Sequence, residues 1–153
     1  MALFAFIGII LFFVAIYGIR SRRYGTTIFV MSSIPGSIGG QLSGTIETGF
    51  RETPRHGFVL DLSCSIIGKG VGTFGDLVWR EAKEVAASHL QTGPLGICIP
   101  VSFGIPGHAP ETQGPFTHTT YRTTWHLKVS TDTRDANCEV CFEVPVFKVR
   151  GTM

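Results

Sequence analysis

The sequence predicts an N-terminal transmembrane helix followed by an all-β domain folded as an antiparallel β-sandwich. Three observations carry this. Ala2 to Ile19 contains no charged residue and is followed at once by Arg20, Arg22 and Arg23. The rest of the chain holds short apolar–polar alternations of period 2, separated by Gly- and Pro-containing turns. Strand–helix–strand alternation is missing, which disfavours a parallel α/β sheet. The expected divisions are a transmembrane helix at 1–19, a basic juxtamembrane linker at 20–25 and a β-sandwich at 26–153.

The first element is justified by length and flanks. The 18 residues from Ala2 to Ile19 reach ~27 Å as a helix, close to the ~30 Å hydrocarbon core of a bilayer. A secretory signal would begin with a basic region, carry a shorter apolar core and end in an Ala-x-Ala-like cleavage site. Here the arginines follow the run instead. Arginines just past a span stay on the cytoplasmic side. The expected placement is single-pass, N-terminus outside and domain in the cytoplasm. Ala5, Gly8, Phe12, Ala15 and Gly18 are the expected helix contacts to the bilayer and to a partner span, since small residues let helices approach closely. Arg20, Arg22 and Arg23 join them at the membrane surface.

Composition narrows the function classes. The chain has 153 residues, and 13 Lys and Arg oppose 11 Asp and Glu for a net charge of +2. Three of the 13 lie at positions 20 to 23, so the domain is close to neutral. That excludes the clustered basic face of a nucleic-acid binder. Cys138 and Cys141 have CxxC spacing, but no second pair at ligand spacing accompanies them. They lie on a strand pattern that puts residues three apart on opposite faces. Plain thiols are expected.

The strands follow in order. Thr26 to Met31 is a short β-rich run, and Ser32 to Gly36 is a turn built on Pro35 and Gly36. Gly39 to Glu47 alternates, with glycines that point to a bulge or a close backbone approach. Phe58 to Ile66 puts Phe58, Leu60, Leu62, Cys64 and Ile66 on one face and Val59, Asp61, Ser63 and Ser65 on the other. The glycines at 68–75 lack a nucleotide-binding context and read as a hairpin connection. Leu77 to Val85 reads as an edge strand, its charges blunting the edge, and 86–93 as a connection. Ile97 to Ile105 alternates with Pro100 outward, which marks an edge or a bulge. A long Pro-rich loop, Pro106 to Thr117, leads to Tyr121–Val129, with Trp125, Leu127 and Val129 inward. Asp132 to Asn137 is a polar turn, and Cys138 to Val149 a last strand.

Together these segments resemble a known family. Ile34-Pro35-Gly36 followed by Gly40 to Ile46 resembles the opening of arrestin-like β-sandwich domains, which belong to the wider immunoglobulin-like class of sandwiches. Ile99 to Pro106, Ala109-Pro110-Glu111-Thr112 and Tyr121 to Val129 resemble that family's middle stretch, and Phe142 to Phe147 its last strand. Val101 stands where a Phe often follows the proline, and one sandwich is present where arrestins have two. The whole also looks like single-pass bacterial membrane proteins that carry such a domain. The resemblance implies binding and scaffolding. It brings no phosphate or receptor site, because no matching basic cluster exists.

Candidate chemistry is sparse. His108, His118 and His126 flank or face the Pro-rich loop and are the candidate metal ligands. No Hx₃₋₅H or HExxH spacing supports them. No GxSxG elbow is present for a serine hydrolase. Cys64 reads as an inert core thiol, and Trp79 and Trp125 as core anchors. The expected function is a non-catalytic, membrane-anchored accessory or scaffold subunit of a larger membrane complex, of respiratory or photosynthetic type. It would need no cofactor, and its partners would be integral membrane protein and lipid bilayer. One alternative is a membrane-tethered module that binds peptide or lipid in an apolar groove beside Leu77–Val85. A second is a metal-dependent enzyme using the loop histidines.

Overall fold

Each alternation becomes a strand because it can bury one face against a second sheet. The computed structural model describes residues 27–68, 75–113, 121–133 and 136–149. Among these residues ten strands form: β1 Ile28–Met31, β2 Gly36–Ser37, β3 Gln41–Glu47, β4 Phe58–Gly68, β5 Asp76–Val85, β6 Gln91–Thr92, β7 Ile97–Gly104, β8 Tyr121–Thr133, β9 Ala136–Glu143 and β10 Val146–Phe147. A single 3-10 turn, Ala87–His89, precedes β6. One sheet has the order β1-β3-β7-β6 and the other β5-β4-β8-β9. Both are antiparallel throughout.

The core lies between the two sheets. Leu42 and Ile46 of β3 and Ile99, Val101 and Phe103 of β7 come from the first sheet. Phe58, Leu60, Leu62 and Cys64 of β4 meet them from the second, with Trp125, Leu127 and Val129 of β8. Each such aliphatic or Phe side chain stabilises by about 1.5–3 kcal/mol when fully buried. Trp125 is fully buried and packs on Trp79, ring centroids 5.6 Å apart. Its indole N–H donates to the Pro110 carbonyl at 3.0 Å, which ties the Pro-rich loop to the core. Both tryptophans are the core anchors expected.

The glycine reading in β3 also holds. A Cβ on Gly44 would sit 2.3 Å from the Val30 carbonyl oxygen and 2.8 Å from the Phe29 ring. Only glycine lets β1 lie this close. Pro100 is accommodated because β6 pairs only with Ile97 and Cys98, which leaves the outer side of β7 open beyond them.

Several expectations need correcting. The polar stretch 132–137 is not all turn: the β8–β9 ladder continues through Asp132 opposite Asn137 and Thr133 opposite Ala136. Backbone ladder bonds do not depend on side-chain polarity, so the period-2 signal vanished while the strand went on. The last strand is two. It breaks at Val144-Pro145, and β10 then pairs with β2 in parallel, a small exception to an otherwise antiparallel fold. Asp61, on the face opposite the apolar stripe as expected, is only 7% exposed, because Arg80 folds across it. Thr124 shares the outer side of β8 and is nonetheless buried.

Residues 1–26 lie outside the described residues, and with them the expected helix at 1–19 and linker at 20–25. Among the described residues no helix is long and apolar enough to cross a membrane.

Candidate functional site

Two of the three expected metal ligands fall within the described residues. His108 is exposed on the loop after β7, while His126 is half-buried on β8, opposite Ser63 and Glu143. His118 lies outside the described residues. Among the described residues no group of three His, Cys, Asp or Glu is placed to hold a metal ion. Two of the thiols, Cys64 and Cys141, are unpromising as nucleophiles. Cys64, Cys98 and Cys141 are free. Burial pushes the Cys64 thiol up to about 11. Burial also raises that of Cys141, helped by Glu139 and opposed by Lys128. A thiol held protonated at neutral pH is a poor nucleophile.

What the fold does present is sheet edges. An edge strand offers unpaired backbone groups to another chain, and proteins defend such edges with charges, bulges, prolines or short strands. The expected groove beside β5 exists as an open depression of about 400 Å3, lined by Trp79, Arg80, Glu81, Gly104, Ile105 and Pro106. It is not the apolar groove anticipated. β5 carries a bulge where Val78 has no partner between the Cys64–Trp79 and Ser65–Leu77 pairs. Glu81 and Lys83 lie opposite buried Leu62 and Leu60, so both charges point inward at the edge. The Lys83 ammonium donates to the Ser102 carbonyl at 2.7 Å and sits 5.0 Å from the centroid of the Phe103 ring. That side chain bridges the two sheets across their open side.

On the outer face of β5 the Arg80 guanidinium grips Asp61. Its Nε donates to both carboxylate oxygens, at 3.0 and 2.8 Å, and its Nη2 donates to one of them. These hydrogen bonds, with the carboxylate charge, raise the arginine above its ordinary range. β9 presents exposed Glu139 and Glu143, engaged by Lys128 and Arg122. β7 is interrupted by Pro100 and partly covered by β6.

β1 differs from all of these. It ends the first sheet, pairs only with β3 and has no charge, proline or bulge. Phe29 and Met31 pack onto the core, Phe29 meeting Phe142 of β9 at 5.9 Å. Ile28 and Val30 are 43% and 49% exposed on the other face. Among the described residues β1 is an edge defended by its shortness alone, and it is the candidate binding strand. Sequence reasoning passed over it in favour of Leu77–Val85. The signal was present: Ile28 to Met31 is apolar at every position, where a half-buried strand alternates.

No protein-family model and no curated protein matches the chain. Among solved structures it is similar to the sporulation control protein Spo0M from Bacillus subtilis, with a TM-score of 0.50 at 13% identity. The match covers 82% of this chain and 49% of that one, so the chain spans about half the length of that protein. At this identity the likeness speaks to fold, and the fold is an arrestin-like all-β domain of antiparallel sheets.

Proposed function

We propose that this protein is a non-catalytic, membrane-tethered accessory module that holds a partner by backbone pairing along β1. The observation that carries the proposal is the β1 edge, free of charge, proline and bulge, with Ile28 and Val30 exposed beside unpaired backbone groups. An added strand gains main-chain hydrogen bonds, and alternate side chains supply the specificity. The apolar run Ala2–Ile19 and the arginines after it support the tether, the cytoplasmic placement of the domain and an integral membrane protein as partner. A strand that starts at Ile28 stays near that tether, so the segment it pairs would belong to a membrane-near part of the partner.

The test is purification of the full chain in mild detergent, followed by mass spectrometry of what accompanies it. A membrane protein should co-purify with the native chain and be lost from Ile28→Lys/Val30→Lys, whose substitutions sit on exposed positions. A native chain that runs alone as a monomer would end the proposal. So would a partner retained equally by the double variant.

A further inference from the structure

A membrane tether before Thr27, as proposed above, would hold one end of the sandwich near the bilayer. Four arginines lie among the described residues. Arg80 is paired with Asp61 and Arg122 with Glu143. Arg51 and Arg55 have no ion pair among the described residues, and both are exposed. They share the loop between β3 and β4, with Glu52 between them.

The register fixes where this loop sits. Ile28, at the start of β1, pairs with Glu47 at the end of β3. The chain then passes directly into the loop. Thr48 N–H donates to the Ile97 carbonyl at 2.9 Å, and Ile97 N–H donates to the Phe50 carbonyl at 3.1 Å. The turn at 93–96, which carries Leu95 at 50% exposure, is therefore at the same end. The register places Glu47, Glu52, Glu84, Asp132 and Glu139 at this end, of which Glu47 is half-buried and Glu139 is engaged by Lys128. The seven residues 20–26 reach at most ~25 Å even when fully extended. The end of the sandwich holding Ile28, Arg51, Arg55 and Leu95 is thus kept close to the surface from which the span emerges.

We infer that this end is a lipid-facing surface, with Arg51 and Arg55 binding the phosphates of anionic headgroups and Leu95 entering the interfacial layer. A guanidinium matches a phosphate in bidentate geometry. A cytoplasmic leaflet rich in anionic lipid attracts basic groups held within a Debye length of it. The inference rests on the tether proposed above, and its test separates the two.

The full chain is placed in nanodiscs of phosphatidylcholine, with or without phosphatidylglycerol, and backbone hydrogen exchange is followed. Phosphatidylglycerol should slow exchange several-fold in 49–57 and 93–96 and leave 32–40 and 104–110 unchanged. Arg51→Gln/Arg55→Gln should abolish the difference, and Arg51→Lys/Arg55→Lys should keep much of it. No lipid-dependent slowing, equal slowing at both ends, or slowing that survives the Gln variant overturns the lipid-facing surface while the tether stands. Release of the native chain from membranes by alkaline carbonate overturns the tether itself, and the surface with it.

Discussion

Replacing Gly44 by Ala tests whether the closeness of β1 to β3 depends on a missing methyl group. The new Cβ would lie 2.3 Å from the Val30 oxygen, 2.8 Å from the Phe29 ring and 3.0 Å from the Met31 Cα. A normal contact needs roughly an ångström more, and two of the three atoms are backbone. Two outcomes are open to the protein. Keeping β1 in place costs about 1–3 kcal/mol of overpacking strain. Letting β1 peel away loses four residue pairs with β3. It also loses the burial of half-covered Phe29 and Met31, roughly 1 kcal/mol for each side chain at half its full-burial value. Both routes lead to a loss of about 1–3 kcal/mol. Urea unfolding of the full chain in detergent, followed through the fluorescence of Trp79 and Trp125, measures it. A variant within about 0.5 kcal/mol of the native chain, the range of an ordinary surface change, would refute the reasoning. It would mean that β1 is held loosely enough to accommodate a methyl group.

Four further outcomes are expected. Lys83→Val removes an inward charge from the β5 edge and should promote self-association, seen as a rise in light scattering with concentration. Trp125→Phe loses the hydrogen bond to Pro110 and part of the contact with Trp79. It should cost about 1–3 kcal/mol in the same urea assay. Cys64 binds its proton more tightly folded than unfolded, with its pKa raised from 9.0 to about 11. Stability is therefore full below pH 9 and should fall by up to about 2–3 kcal/mol between pH 9 and 11, a slope that Cys64→Ala removes. Iodoacetamide should label exposed Cys141 in the native chain only slowly at neutral pH and faster as the pH is raised, and should reach Cys64 only after unfolding.

The strands were readable wherever one face had to be apolar. Phe58, Leu60, Leu62 and Cys64 announced β4, and Trp125, Leu127 and Val129 announced β8, because period 2 in burial imposes period 2 in hydrophobicity. The signal failed where burial did not set the choice. The β8–β9 hairpin runs on through polar residues by backbone pairing, and the break at Pro145 was hidden because Val144 and Val146 are both buried. The burial of Asp61 left no local mark because the arginine that covers it is 19 residues away in sequence and adjacent only across the β4–β5 ladder. The candidate edge was harder still. An edge strand is defined by what does not pair with it, which a local pattern cannot record. The charges of β5 advertised an edge but also defended it, while β1 was hard to see because it lacks such charges.

The shortness of β1 has a mechanical meaning as well. Four residue pairs join it to β3, and among the described residues β1 is the first element that a pull from the N-terminal side would meet. β4, whose ten pairs with β8 hold the centre of the second sheet, lies far from that load path. Tension from the N-terminal side would be taken up at the β1–β3 seam first, so the strand would act as a weak link, releasing before the packed interior carries the force.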